Sequence, residues 1–300
     1  MFSSRTLSVW GWVQLFRPPN LFTVPGDVLA GYALSGMLGS GDHRSVAALA
    51  VISLLLYMGG LALNDWFDRS LDAVERPQRP IPAGAVSAHA VGIAGIGFTS
   101  AAVMLAFVLA GRVAVTAMVL AVLVVTYNGI ARKIPVIGVG VMAGCRAVNV
   151  ILGASTSNLP ADRAVFVWLA VGMMFVYVII VSAIAAGEAS RLPSRLHIVA
   201  LLMTPILLFL SGLRGFFDPQ CIGVWFVWMI FGANTVLIGR RLLRNTDIAK
   251  TSGYVGALIR NLIFMQAFWV AAGGATCLWI VSILLLWPLA SLTGRWFYGS

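Results

Sequence analysis

The chain has 300 residues, of which 60% are hydrophobic and only 10% are charged. Soluble domains carry about 25% charged residues, so this composition excludes an ordinary soluble protein and indicates one integral membrane domain over residues 1–300. The net charge is +10, but the basic residues lie between apolar runs, which favours charged membrane loops over nucleic-acid binding. The three cysteines lie in apolar surroundings, without the spacing of a metal site or a disulfide framework.

Apolar runs long enough to cross a bilayer follow one another along the chain. The N-terminus lacks the pattern of a signal peptide, and its Trp-rich residues 7–16 predict a short helix in the membrane interface. We predict an all-α membrane protein with about nine transmembrane helices around a central apolar cavity, closed by a cytoplasmic polar cap. The predicted helices cover residues 20–38, 46–70, 88–110, 113–128, 136–154, 163–186, 196–212, 220–239 and 258–291. The last is long enough to be tilted or broken near Gly273 and Gly274.

The distribution of basic residues predicts the orientation of the chain. With nine crossings, most arginines and lysines lie on the side of the N-terminus, in the loops after the second, fourth, sixth and eighth helices. Cytoplasmic loops carry such an excess. We therefore expect a multi-pass protein with a cytoplasmic N-terminus, in the inner membrane if the cell is bacterial.

Three aspartates end the second apolar run and form the most informative cluster in the sequence. Asp65, Asp68 and Asp72 are spaced by three and four residues, so they share one face of a helix. Like charges this close repel unless a cation joins them, and Mg²⁺ prefers carboxylates together with phosphate oxygens. We predict that the three aspartates bind Mg²⁺, with Asn64 as a neutral ligand or an orienting group. A solvated cytoplasmic loop is the alternative.

Basic residues near the aspartates indicate what the metal would help to bind. Arg76 and Arg79 follow within a short distance, and Arg132 and Lys133 lie in the next loop predicted on the same side. Arginine forks match phosphate oxygens in pairs. Carboxylates, a divalent cation and arginines together favour a diphosphate site. Such a site would stabilise charge on a departing diphosphate and leave an allylic carbocation in an apolar cavity.

Aromatic residues flank this cluster and are candidates to face a carbocation through their π-systems. They are Tyr57, Trp66, Phe67 and Tyr127. Packing against lipid or protein is the alternative role for each of them.

Polar residues within the predicted spans form a second set of candidates. Arg146 lies in mid-helix, and a buried arginine in a bilayer must pair with an acid. Asp27 and Glu188 are the available partners. Asp27, Arg146 and Asn149 line the polar part of the cavity on one interpretation. On the other, they only hold helices together through an ion pair and an interhelical hydrogen bond.

The aspartate cluster resembles a known motif. The pattern N-D-x-x-D-x-x-x-D at residues 64–72, followed by Arg76 and R-P-I-P at 79–82, resembles the first aspartate-rich motif of the UbiA superfamily of intramembrane prenyltransferases. The order of helices resembles that superfamily over nearly the whole chain, as do Tyr127 and residues 132–133. The resemblance implies Mg²⁺-dependent transfer of a prenyl group from a prenyl diphosphate to an aromatic or lipid acceptor. It also implies that the aspartates bind metal and diphosphate, assisted by the basic residues and Asn64.

The second aspartate-rich motif usual in that superfamily is not repeated in this chain. The loop after the sixth helix carries one acid, Glu188, as the candidate metal ligand, and Ile184 stands where a second could bind. This loop, together with residues 144–149 and 27–31, is similar to the EboC-like branch. A terpene cyclase, and a non-enzymatic binder or transporter of a prenylated metabolite, are therefore the alternatives to a prenyltransferase.

Overall fold

In the computed structural model, residues 4–40, 42–186, 192–213 and 222–297 are described. They contain helices and connecting turns, without a strand. The helices are α1 (Ser4–Leu15), α2 (Pro18–Leu21), α3 (Pro25–Leu34), α4 (His43–Glu75), α5 (Ala88–Leu109), α6 (Gly111–Gly129), α7 (Pro135–Ala154), α8 (Ala161–Ala185), α9 (Arg195–Leu213), α10 (Ile222–Arg244), α11 (Thr251–Ala272), α12 (Cys277–Leu284) and α13 (Leu286–Thr293).

The helices confirm an all-α membrane fold. Seven helices in the described part of the chain are long and apolar enough to cross a membrane, namely α4 to α8, α10 and α11. Two shorter apolar stretches, Arg195–Ser211 and Cys277–Thr293, accompany them. Helix α11 is the most buried of the seven, and it packs against α3, α8, α10 and α12. The core therefore surrounds α11, while many large side chains of α5 and α6 face outward.

The first predicted span is not one continuous helix. Helix α2 ends at Leu21 and α3 begins at Pro25. Proline lacks the N–H that would continue the helical hydrogen bonding, so the backbone around Thr23 is irregular. Irregular backbone at membrane depth is tolerated where protein covers it or a cavity opens beside it, and both conditions hold here.

The last predicted span is also interrupted. Helix α11 begins at Thr251 rather than residue 258 and ends at Ala272, and Gly274 follows in the left-handed region with φ +79°. The predicted break near Gly273 and Gly274 is confirmed. Helices α12 and α13 then run back toward the first helix, where the Phe297 ring lies 4.9 Å from that of Trp10. The sequence pattern missed this reversal because both passes are apolar.

Helices α3 and α7 approach each other so closely that glycine is required at their contact. A Cβ added to Gly31 would lie 1.9 Å from the Val150 carbonyl oxygen, and one added to Gly153 would lie 2.0 Å from that of Val28. Small residues permit such approaches between membrane helices. The contact fixes the distance between Asp27 on α3 and Arg146 on α7.

Candidate active site

A cavity of about 880 Å³ opens beside the aspartate-rich end of α4. Its volume lies within the range of small-molecule sites. The walls are mostly apolar and come from α4, α6, α7, α8 and α11, with the end of the chain after α13 closing one side. The predicted central apolar cavity is therefore present, and its polar groups lie in two places, at the mouth and at the inner end.

At the mouth, each aspartate of the predicted cluster is buried and paired with arginine. Asp65 Oδ1 lies 3.3 Å from Arg79 Nη1, and Asp72 Oδ2 lies 3.1 Å from the same atom. Asp68 forms an ion pair with Arg132. The side chains share one face of α4, as their spacing predicts. The predicted alternative of a solvated loop is wrong, because Asp65 and Asp72 are each only 4% exposed.

Arg17 is a member of this cluster that sequence reasoning did not assign to the site. Its Nη2 lies 3.3 Å from Asp65 Oδ1, and the residue lines the cavity. Arg17 has φ 45°, which is the left-handed region and is unusual for a residue other than glycine. Pro18 follows directly and disfavours the right-handed helical region for Arg17, and the guanidinium of Arg17 reaches Asp65 on α4. The Arg-Pro-Pro sequence was the only signal available.

The other basic residues occupy different positions around the mouth. Arg132 is part-buried between α6 and α7; burial lowers its pKa from the ordinary value, and the charge of Asp65 opposes that shift. Arg76 is exposed but lines the cavity. Lys133 is exposed and absent from the cavity wall, so the structure does not bring it to the site. Glu188 lies outside the described residues.

Asn64 and the predicted aromatic residues divide between cavity and packing roles. Asn64 Nδ2 donates to Asn128 Oδ1 at 3.1 Å, and both side chains line the cavity. Tyr57 and Tyr127 also line it. The other two aromatics lie outside the wall: Trp66 packs against α5, and Phe67 is 39% exposed.

The carboxylates at the mouth are chemically suited to bind Mg²⁺, although their side chains do not converge on one point in this arrangement. Within the described residues, no group of three or more His, Cys, Asp or Glu side chains is placed to hold a metal ion. The ion pairs explain this, because Arg79 and Arg132 draw the carboxylates toward themselves. Buried carboxylate oxygens at a cavity mouth are nevertheless the ligands that Mg²⁺ accepts. The neighbouring guanidinium groups could bind the oxygens of an anion that accompanies Mg²⁺.

A buried polar network closes the inner end of the cavity. Arg146 Nε lies 3.2 Å from Asp27 Oδ2, which settles the predicted choice of partner in favour of Asp27 within the described residues. Asn149 Nδ2 donates to Asp27 Oδ2 at 3.1 Å, and Ser53 donates to Asn149 Oδ1 at 2.8 Å. Arg146 and Asn149 line the cavity, whereas Asp27 is fully buried behind them. Asp27 is therefore a supporting residue rather than a lining one.

The break between α2 and α3 supplies an acceptor to this network. The Thr23 carbonyl oxygen accepts from Arg146 Nη2 at 2.8 Å and from Gln266 Nε2 at 2.7 Å. Gln266 also donates to Asp27 Oδ1 at 2.6 Å. Gln266 was not predicted from the sequence, since a single amide within an apolar run gives no spacing signal. The four elements α3, α4, α7 and α11 thus meet at one level.

The comparison with protein-family models shows to which family the chain belongs. The model of the UbiA prenyltransferase family matches residues 27–252, which is well over half of the chain. The chain belongs to the UbiA prenyltransferase family. The matched region contains the aspartate cluster, Asp27 and Arg146, whereas Arg17 and Gln266 lie outside it.

Individual UbiA relatives agree with this assignment. The digeranylgeranylglyceryl phosphate synthase of Natronomonas pharaonis is 33% identical over 45% of this chain and 48% of its own length. The protoheme IX farnesyltransferase of Hyphomonas neptunium is 27% identical over 58% of this chain and 56% of its own. The chain thus aligns with about half the length of these curated relatives.

Solved structures share the UbiA fold. A UbiA homologue from Archaeoglobus fulgidus, bound to DMAPP and Mg²⁺, has a TM-score of 0.59 over 90% of this chain and 99% of that chain, at 12% identity. At this identity the likeness establishes the fold alone. None of these relatives specifies a branch of the family, so the EboC-like assignment stays a prediction.

Proposed function

We propose that this UbiA protein transfers a prenyl group from a prenyl diphosphate to an acceptor inside the membrane, with Mg²⁺ at Asp65, Asp68 and Asp72. The observation that carries the proposal is the pairing of three buried aspartates with three part-buried arginines at the mouth of one apolar cavity. A site for a metal, a diphosphate and an apolar chain needs these groups in this order from surface to interior.

The arginines change partners when the substrate binds. Arg17, Arg79 and Arg132 neutralise the carboxylates in the free protein. A prenyl diphosphate would bring its own negative charges, so the guanidinium groups turn to its oxygens and release carboxylate oxygens for the metal. Bound Mg²⁺ supplies additional stabilisation of negative charge on the leaving diphosphate. Arg76 at the rim adds a fourth guanidinium.

Bond cleavage follows from the charge distribution. The bond between C1 of the prenyl group and the diphosphate oxygen breaks, and both electrons leave with the diphosphate, which the arginines hold. The allylic cation lies in the apolar cavity, where Tyr57 and Tyr127 are among the aromatic side chains that line the wall and could face it. The acceptor donates an electron pair to C1 and loses a proton to water. The apolar walls limit competition from water for the cation.

The acceptor and the orientation are further parts of the proposal. Two relatives are named for an isoprenoid glyceryl phosphate and for protohaem IX, which supports an amphiphilic lipid or aromatic acceptor. The excess of basic residues around the aspartate mouth supports a cytoplasmic position for it.

Product analysis tests the proposal. Purified protein is incubated with Mg²⁺, prenyl diphosphates of several chain lengths and candidate acceptors, and the products are identified by mass. The expected product is an acceptor increased by the mass of the prenyl group, less one hydrogen, with one diphosphate released. Cyclised hydrocarbon and diphosphate without an adduct would instead indicate a terpene cyclase, and bound but unconsumed donor would indicate a binding or transport protein.

A further inference from the structure

Arg260 of α11 lines the cavity near the level of the aspartate cluster. A Cβ added to Gly256 would lie 3.4 Å from Arg260 Nη1, so the guanidinium lies against Gly256. Gln266 and Ser53 belong to the inner polar network. Gly256 precedes Gln266 by ten residues, and Asp65 follows Ser53 by twelve. With a rise of about 1.5 Å per residue, Gly256 and Asp65 lie about 15 Å and about 18 Å from that network.

The guanidinium of Arg260 has no partner among the residues that the structure describes. Four other arginines of the cavity wall form ion pairs with aspartates, namely Arg17, Arg79, Arg132 and Arg146. An arginine has five N–H donors, yet Arg260 makes neither an ion pair nor a hydrogen bond in this part of the chain, and its nitrogens are not sealed within protein. A charged side chain within a membrane span is costly and is found paired or facing a substrate pathway. The unused donors therefore indicate an anionic ligand.

A purely structural role for Arg260 would be to hold the C-terminal end of α13. A Cβ added to Gly294, which follows that helix, would lie 3.3 Å from Arg260 Nη1, and a cation near a helix C-terminus is favourable. The Gly294 N–H donates to the Ala290 carbonyl oxygen at 3.0 Å, whereas no carbonyl oxygen of the described residues accepts from Arg260. The guanidinium thus lies beside this backbone without being hydrogen-bonded to it.

We propose that Arg260 binds the diphosphate of the prenyl donor from the α11 wall, and that it does so before Mg²⁺ joins the site. This assignment rests on the proposed function, since it needs a donor diphosphate at the aspartate mouth. Helix α11 carries no acidic residue, so its wall presents a guanidinium to the donor, and arginine forks match phosphate oxygens in pairs. Because the guanidinium lies at about the level of Asp65, the anion between the two walls is the diphosphate.

The order of binding follows from the ion pairs. Arg17, Arg79 and Arg132 each neutralise a buried aspartate in the free protein. Moving one of them to a diphosphate leaves a buried carboxylate without its cation, which is costly, until Mg²⁺ replaces the guanidinium. Arg260 gives up no partner when it binds. Arg76 is also without an ion pair in the described part of the chain, but it is exposed, and exposed charges interact weakly.

Metal-free binding tests the proposal. Wild type, Arg260→Gln, Arg260→Lys and Arg76→Gln are titrated in detergent with geranylgeranyl diphosphate and EDTA, followed by calorimetry. Arg240→Gln is the control, because it removes an exposed arginine of α10. The same proteins and Asp68→Asn are then titrated with inorganic diphosphate, first in EDTA and then in Mg²⁺. The stoichiometry of each titration reports the folded fraction, so a loss of affinity at unchanged stoichiometry cannot come from misfolding.

We expect Arg260→Gln to raise the Kd for the donor in EDTA about tenfold or more, since hydrogen bonds to charged groups are strong. Arg260→Lys should keep part of the affinity, because it retains the charge without the fork. Arg76→Gln should raise the Kd less than Arg260→Gln, and Arg240→Gln should bind as wild type. The gain in diphosphate affinity on adding Mg²⁺ should persist in Arg260→Gln and fall in Asp68→Asn. Without ligand, Arg260→Gln should melt no lower than wild type, because it removes an uncompensated charge.

The proposal is overturned if the wild type binds no donor in EDTA, or if Arg260→Gln binds the donor as wild type does. Unchanged donor affinity with weaker binding of lysophosphatidic acid would assign Arg260 to the anion of an acceptor, and unchanged donor affinity with a lower melting temperature would assign it to the end of α13. None of these measurements needs turnover. A wild type that binds the donor without consuming it would therefore remove the proposed transfer reaction and leave the assignment of Arg260 to be decided by binding alone.

Discussion

Arg146 of α7 forms an ion pair with Asp27 of α3 inside the membrane-spanning part of the protein, with 3.2 Å between Nε and Oδ2. The carboxylate also accepts from Asn149 and Gln266, so the charge of Asp27 is fully compensated. This pair connects the broken first segment to the cavity wall. The ion pair gives the inner end of the cavity a fixed polar surface, whereas the rest of the cavity wall is mostly apolar.

Removing one member of this pair should destabilise the fold strongly. Arg146→Met leaves the Asp27 carboxylate buried without its cation, at a cost of about 3–5 kcal/mol in the free energy of unfolding. The double variant Asp27→Asn, Arg146→Met buries no charge and should be more stable than Arg146→Met alone. Thermal unfolding in detergent measures both. Equal melting temperatures for the single and double variants would contradict this account of the pair.

Arg79 bridges two aspartates, so its loss should weaken donor binding. In Arg79→Gln the guanidinium that contacts Asp65 and Asp72 is absent. Hydrogen bonds to charged groups are worth about 1.5–3 kcal/mol, so we expect the KM for a prenyl diphosphate to rise between about tenfold and a hundredfold.

The control for this change is Arg69→Gln on the same helix. Arg69 is exposed, and its guanidinium lies 4.9 Å from the centre of the Trp66 ring rather than in the cavity. Steady-state kinetics with varied donor should leave its KM near that of the wild type. A similar rise in both variants would show that general loss of positive charge, and not the bridge, governs binding.

Metal removal should stop the reaction without unfolding the protein. The aspartates are neutralised by Arg17, Arg79 and Arg132 in the free protein, so the fold does not depend on a divalent ion for charge balance. With EDTA we expect diphosphate release to cease and the melting temperature to stay within a few degrees. Adding Mg²⁺ with diphosphate should raise the melting temperature, because a ligand that binds only the folded state stabilises it. A large fall in melting temperature with EDTA alone would contradict the paired arrangement.

The close contact of α3 and α7 predicts a sharp difference between two glycines on one helix. Gly153→Ala places a methyl group about where the Val28 carbonyl oxygen lies, at 2.0 Å. Gly140→Ala on the same helix meets no atom within 4 Å. We expect Gly153→Ala to lose at least about 1–3 kcal/mol of stability through overpacking, and Gly140→Ala to be close to neutral. Equal melting temperatures would show that the two helices separate at little cost.

Much of the fold was predictable because hydrophobic length dominates a membrane sequence. The spans between residues 46 and 186 agree with α4 to α8 to within a few residues, apart from longer ends of α4. The spacing of Asp65, Asp68 and Asp72 placed them on one face, and the scarcity of acids left two partners for Arg146. These predictions depend on the spacing of residues along a helix and on the number of charged residues, and both can be read directly from a sequence.

The remaining features depend on tertiary contacts. The break at Thr23 is stabilised by Arg146 and Gln266 from distant helices. The local sequence around Pro25 does not predict these contacts. Arg17 joins the cluster through one unusual backbone angle. The reversal after Gly274 was hidden because the stretches before and after it are both apolar.

The most direct test of the central claim measures diphosphate release from prenyl diphosphates of several lengths by purified wild type and by Asp68→Asn, each with and without Mg²⁺. Glu75→Gln is the control, because Glu75 is an exposed acid on the same helix. We predict release that requires Mg²⁺ in the wild type and in Glu75→Gln, and a loss of about 10²–10³-fold in Asp68→Asn. Undiminished release by Asp68→Asn, or release by the wild type that is independent of Mg²⁺, would contradict a metal-assisted diphosphate site at the mouth of the cavity.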